Sequence, residues 1–417
     1  MLERCFKSKS TPAYSRPGPA GPFLEGFSET LAKEQFAAET IERGLRAAAH
    51  LGAWMESKGL AIRSLDDHLF NEFILHFASC SCLTGVTFNR DKNREARTGA
   101  RRFLAHLRCM GVVPPPSPVK VGQPKIMVEF EHWLLSHRGL TVSTVVGFRP
   151  IILGLLRELG DPAGFTLEAL RRFVAERSVQ FGPKYAQKAS GKLRVFLRFL
   201  VSQEQCAPAF ADGLPSIAHW RLASLPAYMA PEDVEKLVSA PDLLLPIGLR
   251  DRAILLLLAR LGLRASDIIH MRLEDIDWTS GTFAIHGKER RPGRLPLPQE
   301  VGEALLDYLA NGRPKVNIEH VFLRARPPYC PFRTPSSVSD VVFFAARRAG
   351  VTLPAGQMAH ALRHSLATRL VRGGVSFTVI RTVLRHRGDD TTAMYAKLDQ
   401  PSLQKIAQPW PMEVGAC

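Results

Sequence analysis

His360-Ala361-Leu362-Arg363-His364-Ser365 lies in a stretch, residues 359–373, whose pattern predicts a helix closing at Gly373. Helical positions three or four apart share a face, so His360 can project with Arg363 or with His364. His386 follows 26 residues after His360 (386 − 360), and Tyr395 nine residues after that (395 − 386). Upstream, Ala259-Arg260-Leu261-Gly262-Leu263-Arg264-Ala265-Ser266-Asp267 closes a strongly apolar segment, Ala253 to Ala259. Two arginines, two histidines and a late tyrosine, each in a helical setting, predict a mainly α domain built around one site.

Working outward, Ile247 to Asp277 reads as mainly helix. The pattern then changes: Thr282-Phe283-Ala284-Ile285 alternates, Gly287 to Arg294 reads as a turn, and Leu295-Pro296-Leu297-Pro298 ends a strand. That predicts a small antiparallel β-hairpin or meander, with Lys288, Arg290 and Arg291 at its tip. Helices are expected again at Gln299 to Leu309, Ser336 to Ala349, Ser376 to Arg385 and Asp390 to Lys397. The domain opens at Ala230-Pro231-Glu232-Asp233, where proline in the first turn and acids behind it start a helix.

Residues 11–22 carry four prolines and two glycines, so 1–22 reads as a flexible N-terminus. Helical patterning over 23–110 predicts an additional N-terminal module. Pro114-Pro115-Pro116 and Pro118 mark 111–124 as a linker. A second helical module spans 125–210, a second linker 211–227, the domain that holds the His360 to Tyr395 set 228–405 and a tail 406–417. The two helical modules read as possible copies. Ala96, Arg101, Phe103, Leu104 and Leu107 match Ala189, Arg194, Phe196, Leu197 and Leu200 at a constant offset of 93 (189 − 96).

The 417 residues exceed one compact core. Lys plus Arg number 55 against 39 Asp plus Glu, a formal charge of +16 that suits a polyanionic partner. Arg101, Arg102, Lys188, Lys192 and Arg194 sit beside apolar or aromatic residues and are candidate phosphate contacts; a solvated helix face is the alternative. No apolar run reaches membrane-spanning length, and residues 1–10 precede no apolar core of a secretory signal. Seven cysteines form no framework. Cys80 and Cys82, one residue apart, lack the spacing and partners of a zinc site, so reduced thiols in a cytoplasmic protein are expected and no metal site.

The chemistry is that of a phosphodiester. Arginine offers a planar fork that matches phosphoryl oxygens and stays charged. His360 and His364 could instead ligate a metal, but the metalloprotease motif requires glutamate where Ala361 stands. Arg264, next to a core helix, could be salt-bridged to Asp267 or Glu274 instead of functional. Lys288 could be a solvated turn lysine or a proton donor to a leaving 5′-oxygen. Tyr395 could be a core tyrosine or a nucleophile, in which case surrounding cations must activate it.

In this order the residues resemble the tyrosine recombinases, the phage-integrase family of site-specific recombinases. Ala259 to Asp267 resembles the first arginine box, with Asp267 where glutamate is usual. Gly287-Lys288 with Leu295-Pro296-Leu297 resembles the lysine hairpin. His360 to Thr368 resembles the second box, and Leu384-Arg385-His386 with Thr391 to Tyr395 the closing one, where Arg385 replaces the usual glycine. The resemblance implies a catalytic set of Arg264, Lys288, His360, Arg363, His386 and Tyr395. Tyr395 would form a 3′-phosphotyrosyl link; Arg264, Arg363 and His386 would hold the non-bridging oxygens. Lys288 would be the general acid, and His360 would assist proton transfer from Tyr395 or orient the phosphate. It implies no cofactor, neither ATP nor divalent metal, and a homotetramer on synapsed double-stranded DNA sites, with or without partner recombinases. The setting would be a bacterial nucleoid, serving a mobile element. A non-catalytic DNA-binding relative and a type IB topoisomerase-like relaxase are the alternatives.

Overall fold

A computed structural model describes residues 18–76, 80, 90–116, 124–216, 227–286, 292–385 and 395. The chain divides into two compact units, the first holding most of residues 1–223 and the second residues 224–417. Both are dominated by helices, and three short strands occur in the second unit.

The first unit begins with a 3₁₀ turn, Gly18–Phe23, followed by α1 (Leu24–Lys33), α2 (Ala38–Ser57), a 3₁₀ turn at Ile62–Ser64, α3 (Asp67–His76) and α4 (Arg90–Cys109). Residues 18–22 of the expected flexible N-terminus thus form a packed turn; residues 1–17 lie outside the described residues. Ala20 is fully buried, and Gly18 lies so near the Gly52 carbonyl of α2 that an added Cβ would sit 2.7 Å from it. Helices α2 and α4 meet at glycine: a Cβ on Gly99 would fall 2.8 Å from that of Ala47 and 3.2 Å from Gly44 Cα.

The same unit continues with α5 (Lys125–Ser136), α6 (Val142–Val146), α7 (Arg149–Leu159), a 3₁₀ turn at Pro162–Gly164, α8 (Leu167–Phe181), α9 (Pro183–Ser202) and α10 (Ala209–Asp212). Ala186, Ala189, Leu193, Phe196, Leu197 and Leu200 recur at helical spacing along α9 and face a core shared with Phe130, Ile152 and Phe173. That core includes Ala211 and Leu214, so the module extends past the boundary drawn at 210. Helices α4 and α9 begin 93 residues apart (183 − 90) and end 93 apart (202 − 109). Each follows a helix, a 3₁₀ turn and a second helix. The register seen in the sequence is thus repeated in the order of elements.

The second unit contains α11 (Pro231–Ser239), α12 (Pro246–Leu261), α13 (Ala265–Ile269), strands β1 (Ile276–Asp277), β2 (Thr282–His286) and β3 (Pro292–Pro296), then α14 (Gln299–Asp307), α15 (Ser336–Ala349), α16 (Met358–Arg372) and α17 (Phe377–Leu384). Ile254 to Leu258 of α12 are fully buried, which makes this helix the axis of the core. The strands form one antiparallel sheet in the order β1-β2-β3, with Phe283 opposite both Ile276 and Leu295. β3 starts at Pro292, inside the stretch expected to be turn, because Pro292, Gly293 and Arg294 pair with His286, Ile285 and Ala284.

Candidate active site

Helix α12 must stop before Arg264, and glycine makes the stop. Gly262 is left-handed (φ 58°), and its N–H and that of Leu263 donate to the Leu258 and Leu257 carbonyls. The chain turns there and Arg264 starts α13, its backbone N–H held by Asp267 Oδ2 at 3.0 Å. A Cβ on Gly262 would lie 2.8 Å from Leu384 and 3.0 Å from Leu366, so α16 and α17 close directly over the turn. Arg260, the other arginine of this segment, is bridged to Glu235 and Glu300 at 2.8 Å, pairs that raise its pKa. It fastens α12 to α11 and α14 and leaves Arg264 as the arginine of the site.

Arg363 on α16 is buried and donates to the carbonyls of Gly262 and Leu384. Burial first, then the neighbouring Arg264, lowers its pKa to about 10, while Tyr395 and Asp267 act the other way. Arg264 Nη2 donates to the Arg385 carbonyl at 3.0 Å, so the two arginines grip adjacent carbonyls at the end of α17. His360, one turn before Arg363, is exposed; desolvation, then Arg363 and Arg264, hold it below the usual imidazole range.

Tyr395 is 1% exposed and packs with Leu366, Ala367, Val371, Ile380 and Leu384. Its hydroxyl lies 2.5 Å from His364 Nδ1. Burial pushes the phenol up to about 12, against the pull of Arg363. Burial, then His360 and Arg363, push His364 down to about 4. With the imidazole neutral and the phenol protonated, the sense of the bond follows the tautomer: Tyr395 donates where Nδ1 is bare. In the sequence His364 reads as an alternative metal ligand with His360; α16 turns it to the tyrosine instead. The H-x-x-R-H spacing was its available signal.

Arg385 explains its own departure from the family pattern. It ends α17 in the left-handed region (φ 50°, ψ 52°), where glycine is least strained. Its guanidinium reaches Asp267 Oδ2 at 2.5 Å, both side chains being largely buried. The alternative bridge from Arg264 to Asp267 is replaced by one from Arg385, and Arg264 meets that carboxylate through its backbone N–H. The two unusual residues of the boxes are partners.

Among the candidate DNA contacts, Arg101 and Lys188 are exposed and Arg102 is partly buried. Lys192 donates to the Gly147 carbonyl and lies 5.5 Å from the Phe148 ring centre, and Arg194 donates to the Leu214 carbonyl at 3.0 Å. These two hold α9 to its own module, a role their charge in the sequence did not reveal. Lys288, Arg290, Arg291 and His386 lie outside the described residues. So do residues 390–394 and 396–397 of the last predicted helix.

The site gathers three guanidiniums, Arg264, Arg363 and Arg385, with Asp267 and a tyrosine, a setting that favours an anion among the cations. Among the described residues no helix is long and apolar enough to cross a membrane.

The chain is similar to known proteins in sequence and in fold. Residues 227–401 match the phage integrase family. The y4rA integrase/recombinase of Sinorhizobium fredii is 31% identical, over 96% of this chain and 97% of its own length. The tyrosine recombinase XerD of Lacticaseibacillus casei is 26% identical, over 67% of this chain and 96% of its own. In fold, the chain resembles a lambda integrase tetramer bound to a Holliday junction (TM-score 0.51, 16% identity, 79% of this chain and 91% of that one). The chain belongs to the phage integrase family of tyrosine recombinases, enzymes that cleave and rejoin DNA strands.

Proposed function

We propose that this recombinase serves a mobile element and exchanges strands at a specific double-stranded DNA site through a 3′-phosphotyrosyl intermediate at Tyr395. The observation that carries the proposal is the cation cluster at the end of α17, whose Arg363 acts on the Tyr395 phenol. Arg363 sits buried beside Arg264 with its pKa lowered to about 10, a site with more positive charge than its own carboxylate offsets. A phosphodiester supplies the missing anion. Arg264 and Arg363 then hold the non-bridging oxygens, and the pentacoordinate transition state gains most because its charge is greatest.

Tyr395 Oη attacks phosphorus, the bond to the 5′-oxygen breaks, and a proton must leave the phenol and reach that oxygen. His364 accepts the phenol hydrogen bond and aims the oxygen. His360 assists the proton's departure. By the family resemblance Lys288 protonates the leaving oxygen and His386 donates to the same phosphate. The protein–DNA link keeps the phosphodiester energy for rejoining, so the cycle runs without ATP or a divalent metal. Arg101, Arg102, Lys188, Arg290 and Arg291 track phosphates along the duplex, with Lys192 and Arg194 contributing less because they bind their own module. The working form is a homotetramer on two synapsed sites, with or without partner recombinases, in the bacterial cytoplasm at the nucleoid. The lambda integrase tetramer on a Holliday junction supports the assembly.

The test uses nicked duplexes cut from the DNA flanking the gene, incubated with the protein in a chelator. The expected result is a protein–DNA complex that survives denaturation. Tight, site-specific binding with no covalent complex makes the chain a DNA-binding accessory instead. Relaxation of any supercoiled plasmid by a monomer makes it a topoisomerase-like relaxase.

A further inference from the structure

Three side chains far from the catalytic residues converge in the N-terminal helical module. His50 lies on α2, His76 is the last residue of α3, and Cys80 follows four residues later (80 − 76). Their ligand atoms all lie within 4.8 Å of one another. Cys80 Sγ is 3.4 Å from His50 Nε2, and the two imidazole ring centres are 5.5 Å apart. We propose that His50, His76 and Cys80 bind a structural zinc ion that pins the end of α3 to the middle of α2.

The geometry is close to what the metal needs. Zinc bonds of about 2.3 Å to sulfur and about 2.0–2.1 Å to nitrogen set neighbouring tetrahedral N and S ligands about 3.5 Å apart. The His50–Cys80 pair already stands at that separation, and the third ligand has only a small distance to close. One thiolate and two imidazoles suit zinc, whereas calcium and magnesium require oxygen. The fourth position remains for water or a further donor; Cys82, two residues on in the sequence, lies outside the described residues.

The surroundings fit a structural site. His50 is 5% exposed. Phe73 packs 5.3 Å from the His50 ring and 6.4 Å from the His76 ring, and Trp54 packs 6.4 Å from His76. This apolar wall packs against both rings and buries His50, while His76 and Cys80 stay partly exposed. The paired-cysteine spacing that marks many zinc sites in a sequence is absent here. The partners of Cys80 are histidines 30 and 4 residues upstream (80 − 50 and 80 − 76), brought together by the packing of α2 and α3. The chemistry at Tyr395 does not involve this metal, so the inference stands apart from the proposed function.

The full-length protein, purified without chelators, should carry close to one zinc per chain by elemental mass spectrometry. Stripped of metal and titrated with Co²⁺, the wild-type chain should show a thiolate-to-cobalt charge-transfer band saturating at one equivalent. Cys80→Ser and His76→Ala should each bind zinc about tenfold or more weakly in chelator competition. Cys80→Ser should also remove the charge-transfer band. A wild-type chain with neither stoichiometric zinc nor that band overturns the proposal, as do variants that hold zinc with wild-type affinity. The cobalt titration needs no substitution, so it decides the question even if a variant fails to fold.

Discussion

Replacing Arg385 with glycine sets two terms of opposite sign against each other. In the left-handed region (φ 50°, ψ 52°) a side chain costs about 1–2 kcal/mol, which glycine removes. Against this, the Arg385 guanidinium lies 2.5 Å from the Asp267 carboxylate, with the side chains 19% and 6% exposed. Removing one partner of a buried pair costs about 3–5 kcal/mol. Asp267 keeps the Arg264 backbone N–H at 3.0 Å, which places the loss at the lower end of that range. The net expectation is a loss of about 1–3 kcal/mol, or about 2–10 °C in the thermal midpoint for a domain of this size.

The assay is thermal unfolding of wild type, Arg385→Gly, Asp267→Asn and the double variant near neutral pH. The cycle should give a coupling of about 1–3 kcal/mol. Arg264 donates to the backbone carbonyl of residue 385, which glycine also has, so covalent complex formation should survive in Arg385→Gly. An Arg385→Gly protein as stable as wild type or more so, with coupling near zero, refutes the reasoning. It would mean that backbone strain outweighs the ion pair.

Other outcomes follow from the same geometry. Gly262→Ala puts a methyl 2.8 Å from Leu384 and 3.0 Å from Leu366 at φ 58°. It should lower stability by about 1–3 kcal/mol and cut covalent complex formation sharply, because the Gly262 carbonyl holds Arg363; wild-type behaviour in both assays contradicts this. The depressed His364 pKa gives an acid limb: its contribution is full above the unfolded value of 6.5 and is lost as pH falls through about 4. His364→Gln should flatten the thermal midpoint across that window, and an unchanged slope rules the histidine out as its source. The raised Tyr395 pKa gives an alkaline limb, full below the unfolded value of 10 and lost as pH rises through about 12. Tyr395→Phe should flatten that limb when the midpoint is followed across the same range.

The helices and the sheet of the catalytic unit were legible because their signals are local. Apolar spacing marks α12, glycine marks its end, and alternation marks β2. What escaped depends on contacts between distant residues. Asp267 and Arg385 are 118 positions apart (385 − 267), and each alone reads as a departure from a pattern. Only folding α17 onto the Gly262 turn reveals them as a pair. Lys192 and Arg194 read as phosphate contacts because charge in a sequence carries no destination; two loop carbonyls passing beside α9 decide it. His364 was visible as a residue, but its partner is Tyr395, 31 positions on (395 − 364). The limit of the second helical module was drawn early because Ala211 and Leu214 follow a proline-punctuated stretch that hides their place in the core.

The central claim is that Tyr395 is the nucleophile, and the most direct measurement is covalent complex formation by Tyr395→Phe beside wild type on the nicked substrate. Phenylalanine keeps the ring in its pocket between α16 and α17 and removes only the oxygen that His364 holds. The expected result is wild-type DNA binding with no covalent complex, and in wild type a digested adduct whose DNA-bearing peptide contains Tyr395. An adduct that persists at wild-type yield in Tyr395→Phe, or a DNA-bearing peptide from elsewhere in the chain, contradicts it.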